Sequence, residues 1–129
     1  MISSLARRAA ILVLGAAVAG CSKGPPLAAP VEPDKARAAL RVALDAWKSG
    51  RSIDSLGRET PPIVAQDFDW MAGAKLTEYQ VLTDGRAEDA NLRVPVRLTV
   101  RDAQGRTATK TVSYIVGTDP TVTVFRAFE

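Results

Sequence analysis

The 129-residue chain carries 17 Lys and Arg against 14 Asp and Glu, with no histidine and one cysteine. The lack of histidine excludes imidazole-based nucleophilic triads and imidazole metal sites, and a single thiol excludes an internal disulfide. Arg7 and Arg8 fall in an N-terminal leader; removing those two from the 17 basic residues leaves 15 against 14 acidic ones, a balance with no clustered-basic reason to bind nucleic acid.

Residues 1–8 contain both arginines and no acid, and residues 9–20 are apolar without a break. Twelve residues at 1.5 Å each reach about 18 Å, short of the roughly 30 Å of a bilayer core. A charged start, a short apolar centre and small residues at the end describe an export signal. Val18-Ala19-Gly20-Cys21 resembles the bacterial lipobox. That resemblance implies cleavage between Gly20 and Cys21 and acylation of the Cys21 thiol, with each buried methylene adding about 0.8 kcal/mol of membrane affinity. Ser22 stands where an Asp would favour the inner membrane in the enterobacterial pattern, so the expected address is the outer membrane, facing the periplasm. Residues 21–33 contain four prolines; an extended path at about 3.1 Å per residue gives residues 22–33 a reach of up to roughly 37 Å.

Residues 34–129 are expected to fold as one α+β domain. A helix is predicted from Pro33-Asp34 to Gly50, since proline suits a first turn and Asp34 the positive end of the helix dipole. Ala36, Leu40, Ala43, Leu44 and Trp47 repeat at helical spacing and form its buried stripe. Residues 51–74 read as irregular, with a short turn at Ile53–Leu56, breaks at Gly57 and Pro61-Pro62, and a short helical turn or docked loop at Asp67–Met71, ending at Gly73. From Lys75 the period becomes two. Leu76–Thr83 is a strand whose inward phase is open between Leu76/Leu82 and Tyr79/Val81. Leu92, Val94, Val96, Leu98 and Val100 make one face of the clearest strand. A loop at Ala103-Gln104-Gly105 pairs Val100 with Ala108, Leu98 with Lys110, Val96 with Val112, Val94 with Tyr114 and Leu92 with Val116. Lys110 is the polar exception and is expected to snorkel out at a sheet end. Pro95 demands a bulge or an unpaired amide position. Gly117–Pro120 turns into a last strand, Thr121–Phe128, whose inward face is contested by Val122/Val124 and Phe125. The sum is an N-terminal helix packed on a curved antiparallel sheet of about four strands.

Ala46–Arg51 closing the helix, Trp70-x-x-Gly73-x-x-Leu76-x-x-Tyr79 leading into the sheet, and Val112-x-Tyr114-x-Val116 with Val122-x-Val124 at the end resemble the nuclear transport factor two-like, or cystatin-like, superfamily. The resemblance implies a sheet wrapped on the helix, often around a pocket, which Trp70, Asp67, Asp69 and Tyr79 would line. Its catalytic members commonly use Asp with His, and this chain has no His. The chemistry left is carboxylate chemistry. Asp67-x-Asp69 beside Trp70 is the best acid/base candidate, against the plainer reading of a solvated loop or an N-cap for the next turn; two acids are too few to hold calcium alone. Arg93, Arg97 and Arg101 share a strand face and form a candidate anion site. The leading expectation is a non-catalytic module held on the membrane through lipidated Cys21, with no cofactor or metal, that binds an envelope protein or small ligand or serves a structural role. The alternatives are a pocket enzyme using Asp67/Asp69 and an anion-binding module using Arg93/Arg97/Arg101.

Overall fold

The computed structural model describes residues 29–129; the export signal, the Cys21 lipobox and the tether up to residue 28 lie outside the described residues. Helix α1, Pro33–Lys48, begins with proline in its first turn and Asp34 beside it. The predicted stripe is buried throughout, and Ala39 and Ala46 join it. Full burial of a side chain such as Leu40 or Leu44 is worth about 1.5–3 kcal/mol. Gly50 ends the helix with φ of 89°, which lets the Arg51 amide reach back to the Ala46 carbonyl at 3.0 Å. A 3-10 turn, Ile53–Arg58, follows and buries Leu56.

The predicted antiparallel strands are present, and two short strands that the periodicity does not show extend the sheet. Among the described residues there are six strands: β1 (Ile63–Gln66), β2 (Lys75–Val81), β3 (Arg86–Glu88), β4 (Asn91–Arg101), β5 (Thr107–Gly117) and β6 (Val122–Arg126). Their order is β1-β6-β5-β4-β2, with β3 also pairing β4. β1 lies parallel to β6, so the sheet is mixed. Four residues directly after Pro61-Pro62 are too short to show a period, and only tertiary pairing makes them a strand. Helix α2, Phe68–Met71, lies between β1 and β2. The result is an α+β fold, with α1 packed on the curled sheet.

The β4–β5 hairpin has the predicted register at all five predicted pairs. Gly105 takes φ of 82° in the loop, a conformation that favours glycine. Pro95 keeps its place in the register opposite Ser113. Its carbonyl accepts from the Leu82 amide at 3.0 Å, one residue past the end of β2, so its missing donor faces a position where no β2 residue pairs. The ambiguous phase of β2 has a physical cause. A register shift between Leu76 and Glu78 sets Leu76 opposite Val100 and Tyr79 opposite Leu98, so both predicted phases point inward on either side of a bulge. In β6, Val122 and Val124 face inward and Phe125 pairs with Ile115 on the other face.

Candidate functional site

β1 delivers Asp67 to the start of α2. Asp67 Oδ1 accepts the amides of Asp69 at 3.0 Å and Trp70 at 3.2 Å, an N-cap of the expected kind. The same carboxylate is only 3% exposed. It also accepts Nη1 of Arg126 at 3.0 Å on Oδ1 and the Tyr114 hydroxyl on Oδ2. Arg126 Nη2 reaches Asp69 Oδ2 at 2.8 Å, and Lys110 Nζ reaches the same oxygen at 3.1 Å. Two carboxylates thus meet two cations in a group that is neutral overall. The Phe68 ring lies 4.2 Å from the Arg126 Cζ atom and stacks on Phe128. Lys110 does not snorkel freely at the sheet end; it is drawn to Asp69.

The electrostatics follow from this packing. Burial alone would raise the Asp69 carboxyl, but hydrogen bonds from Arg126 and Lys110, with their charges, outweigh it and hold the group below its ordinary value. Burial pushes the Tyr114 hydroxyl far up, and the Asp67 charge and hydrogen bond add to that push. Burial works against the charged form of Arg126, yet its carboxylate partners more than offset it and raise its affinity for its proton. Both carboxylates are thereby engaged. Four donors converge on Asp67, three on Oδ1 and one on Oδ2, and the residue is buried, so it presents almost no surface to a substrate.

A wider concavity lies away from this cluster. An open cleft of ≈ 770 Å³ runs between the end of α1 and the α2–β2 connection, lined on one side by Trp47 through Ile53 and on the other by Trp70 through Thr77. Trp47 and Trp70 stack with ring centres 5.3 Å apart. The Trp47 indole donates to the Ala74 carbonyl at 2.9 Å and the Trp70 indole to the Arg51 carbonyl at 3.1 Å, so the pair pins the two walls together. Of the four residues expected in a pocket, Trp70 alone lines this cleft. Asp67 and Asp69 turn to Arg126, and Tyr79 bonds Asp45 of α1 through its hydroxyl at 2.6 Å. The charged lining groups are Lys48, Arg51 and Lys75, without a carboxylate.

The three arginines of β4 do share the face away from α1, but they are not equivalent. Arg93 is held by Glu88 at 2.9 Å and approached by Glu129 at 3.9 Å. Arg97 donates to Gln80 at 3.0 Å. Arg101 is exposed and pairs in register with Lys75 of β2. An anion would therefore meet Arg97, Arg101 and Lys75 more readily than Arg93.

The residues missed from sequence are Arg126, Tyr114 and Lys110 as partners of the two aspartates. A signal was there: Val122-x-Val124-x-Arg126 puts Arg126 in phase with the inward valines. A buried guanidinium requires carboxylates, and Asp67-x-Asp69 was the unassigned pair. Among the described residues no group of three or more metal-ligating side chains comes together, and no helix is long and apolar enough to cross a membrane. In comparisons with known proteins the chain matches no family model, no curated protein and no solved structure.

Proposed function

We propose that the protein is an envelope lipoprotein, anchored through acylated Cys21 and probing the periplasm with a non-catalytic binding domain of the nuclear transport factor two-like type. The observation that supports the non-catalytic part is the burial of Asp67 among four internal donors. A general acid or base needs a lone pair or proton within reach of substrate, and this carboxylate spends its acceptors on Tyr114, Arg126 and the α2 cap. The lipobox supports the anchor, and a helix laid over a curled sheet supports the superfamily reading.

The anchor is tested in the native bacterium. Mass spectrometry of the mature protein should find Cys21 at the N-terminus carrying a diacylglyceryl group, and fractionation should place the chain with the outer membrane. Cys21→Ser should leave an uncleaved precursor. A mature protein with a free Cys21 thiol, or one still starting at Met1, sinks the anchored reading.

A further inference from the structure

β5 is longer than its partner on one side. It runs Thr107–Gly117, yet β6 pairs only with Tyr114–Gly117. Past β6, the Ala127 amide adds one hydrogen bond to the Ser113 carbonyl at 2.9 Å. That bond fixes the parity: Ser113 turns its main-chain groups away from β4. Such groups alternate sides along an antiparallel strand, so Thr111, Thr109 and Thr107 turn theirs the same way. No hydrogen bond from a described residue meets them, and all three are exposed. Residues 107–112 therefore form an open edge inside the outline of the sheet, a notch on the line that β6 would follow if it continued.

The other edges are guarded. β2 is broken by its bulge, and β1 is four residues long behind two prolines. A lysine commonly guards an edge strand, but Lys110 is tied to Asp69 across the helix-side face. Large exposed apolar side chains gather at the same end: Phe128 is 89% exposed, Met71 64% and Phe68 46%, with Phe68 and Phe128 stacked. The charges on the helix-side face are already paired with one another, so that face calls for no charge on a ligand; Arg97 and Arg101, in register with Thr111 and Thr107, lie exposed on the outward face.

We propose that this notch is a docking site for an extended segment of a partner protein, added antiparallel to β5, with uncharged apolar residues toward Phe68 and Phe128 and polar ones on the opposite face, beside Arg97 and Arg101. The proposal rests on the binding-module reading and names its surface and partner class. Main-chain pairing supplies affinity and the alternating side chains supply selectivity.

The pairing geometry makes a sharp test. A partner residue opposite Thr109 exchanges hydrogen bonds with it and carries its side chain on the same, outward face. In a labelled Thr-Val-Thr-Val-Thr-Val-Thr peptide, the Thr amides would point at β5 and the Val amides away. With the mature full-length chain in detergent micelles, fluorescence anisotropy should show saturable binding. N-methylation of the central Thr residues should weaken it at least tenfold, while N-methylation of the Val residues should leave it within about threefold. Hydrogen exchange at Thr109 and Thr111 should slow when the peptide binds. Thr109→Pro removes an amide donor that the free fold does not use along with the Thr99–Thr109 hydroxyl contact at 3.1 Å, and should abolish binding while lowering the melting temperature no more than Thr109→Val, which keeps the amide and should still bind. Should Thr109→Pro fail to fold, the methylated peptides still decide the matter on the wild-type chain. No saturable binding, equal loss with both methylation patterns, or protection at β2 in place of β5 overturns the proposal. An anchored chain that ignores the peptide sinks the notch alone; an unlipidated chain that binds it sinks the anchor alone.

Discussion

Replacing Asp67 by Asn separates a structural carboxylate from a catalytic one. Asp67 and Arg126 are each 3% exposed as side chains and 3.0 Å apart. Asn keeps one acceptor for the α2 cap but loses the charge and the second oxygen, which holds Tyr114. Asp69 still contacts Arg126 at 2.8 Å, so the guanidinium is not abandoned. Breaking one side of a buried pair costs about 3–5 kcal/mol, and the surviving Asp69 contact places this case near about 3 kcal/mol. For a domain of this size that lowers the melting temperature by roughly 12 °C or more. The assay is urea and thermal unfolding followed by circular dichroism and by the fluorescence of Trp47 and Trp70. Arg126→Met in the Asp67→Asn background should cost less than the sum of the two single changes by about 2 kcal/mol, because it removes the stranded charge. A variant Asp67→Asn that unfolds at the wild-type midpoint, or additive costs in the double mutant, refutes the coupling. Loss of an activity with stability intact would restore Asp67 as a catalytic group.

Three other outcomes follow from the same contacts. Asp69 titrates below its ordinary 3.8 in the folded chain, so its share of stability is present above that pH and is lost as pH falls through the lower folded value; acid unfolding of Asp69→Asn should be less steep there. Burial, with the Asp45 hydrogen bond and charge, pushes the Tyr79 hydroxyl up to about 12. Its stabilising share is full below pH 10 and is lost as pH rises from 10 to about 12, so Tyr79→Phe should flatten alkaline unfolding in that window while ultraviolet titration of wild type shows the delayed phenolate. Two left-handed glycines should differ in tolerance. Gly105→Ala, with nothing within 4 Å of a new Cβ, should cost about 1 kcal/mol in chemical denaturation. Gly85→Ala would set its Cβ 2.9 Å from the Arg93 carbonyl and the Val94 side chain and should cost more than about 2 kcal/mol; equal costs would refute the crowding argument.

What could be read in the sequence was whatever rests on local periodicity. The α1 stripe needed only a 3.6-residue repeat, and the β4–β5 register needed only two period-two runs and a glycine at the turn. β1 escaped because a four-residue strand pairs with β6 across more than fifty residues of chain, and its own composition does not demand it. The β2 phase looked contradictory because a bulge is invisible to a fixed period. The Asp67–Arg126 pair escaped for the opposite reason to β1. Asp67-x-Asp69 stood out locally, but the phase of the last strand, which decides where Arg126 points, was open, and only the β1–β6 pairing carries Arg126 to the α2 cap. Reading the aspartates as a pocket pair treated them as awaiting a ligand, when the chain itself supplies their counter-ions.

The tether and the notch constrain one another. Ala29 donates to Asp119 Oδ2 at 2.9 Å and Glu32 to Thr118 Oγ1 at 3.0 Å, while Val31 packs on the core. The last part of the Pro-rich segment, from Ala29, is therefore fastened to the β5–β6 turn. From Thr118 to Thr109 is nine strand residues, about 30 Å. On the anchored reading the turn is held nearest the lipid and the open edge of β5 sits at the opposite end of the strand. A segment pairing with Thr107–Thr111 then approaches from the periplasmic side without competing with the headgroups, which is the arrangement a tethered receptor for an extended partner requires.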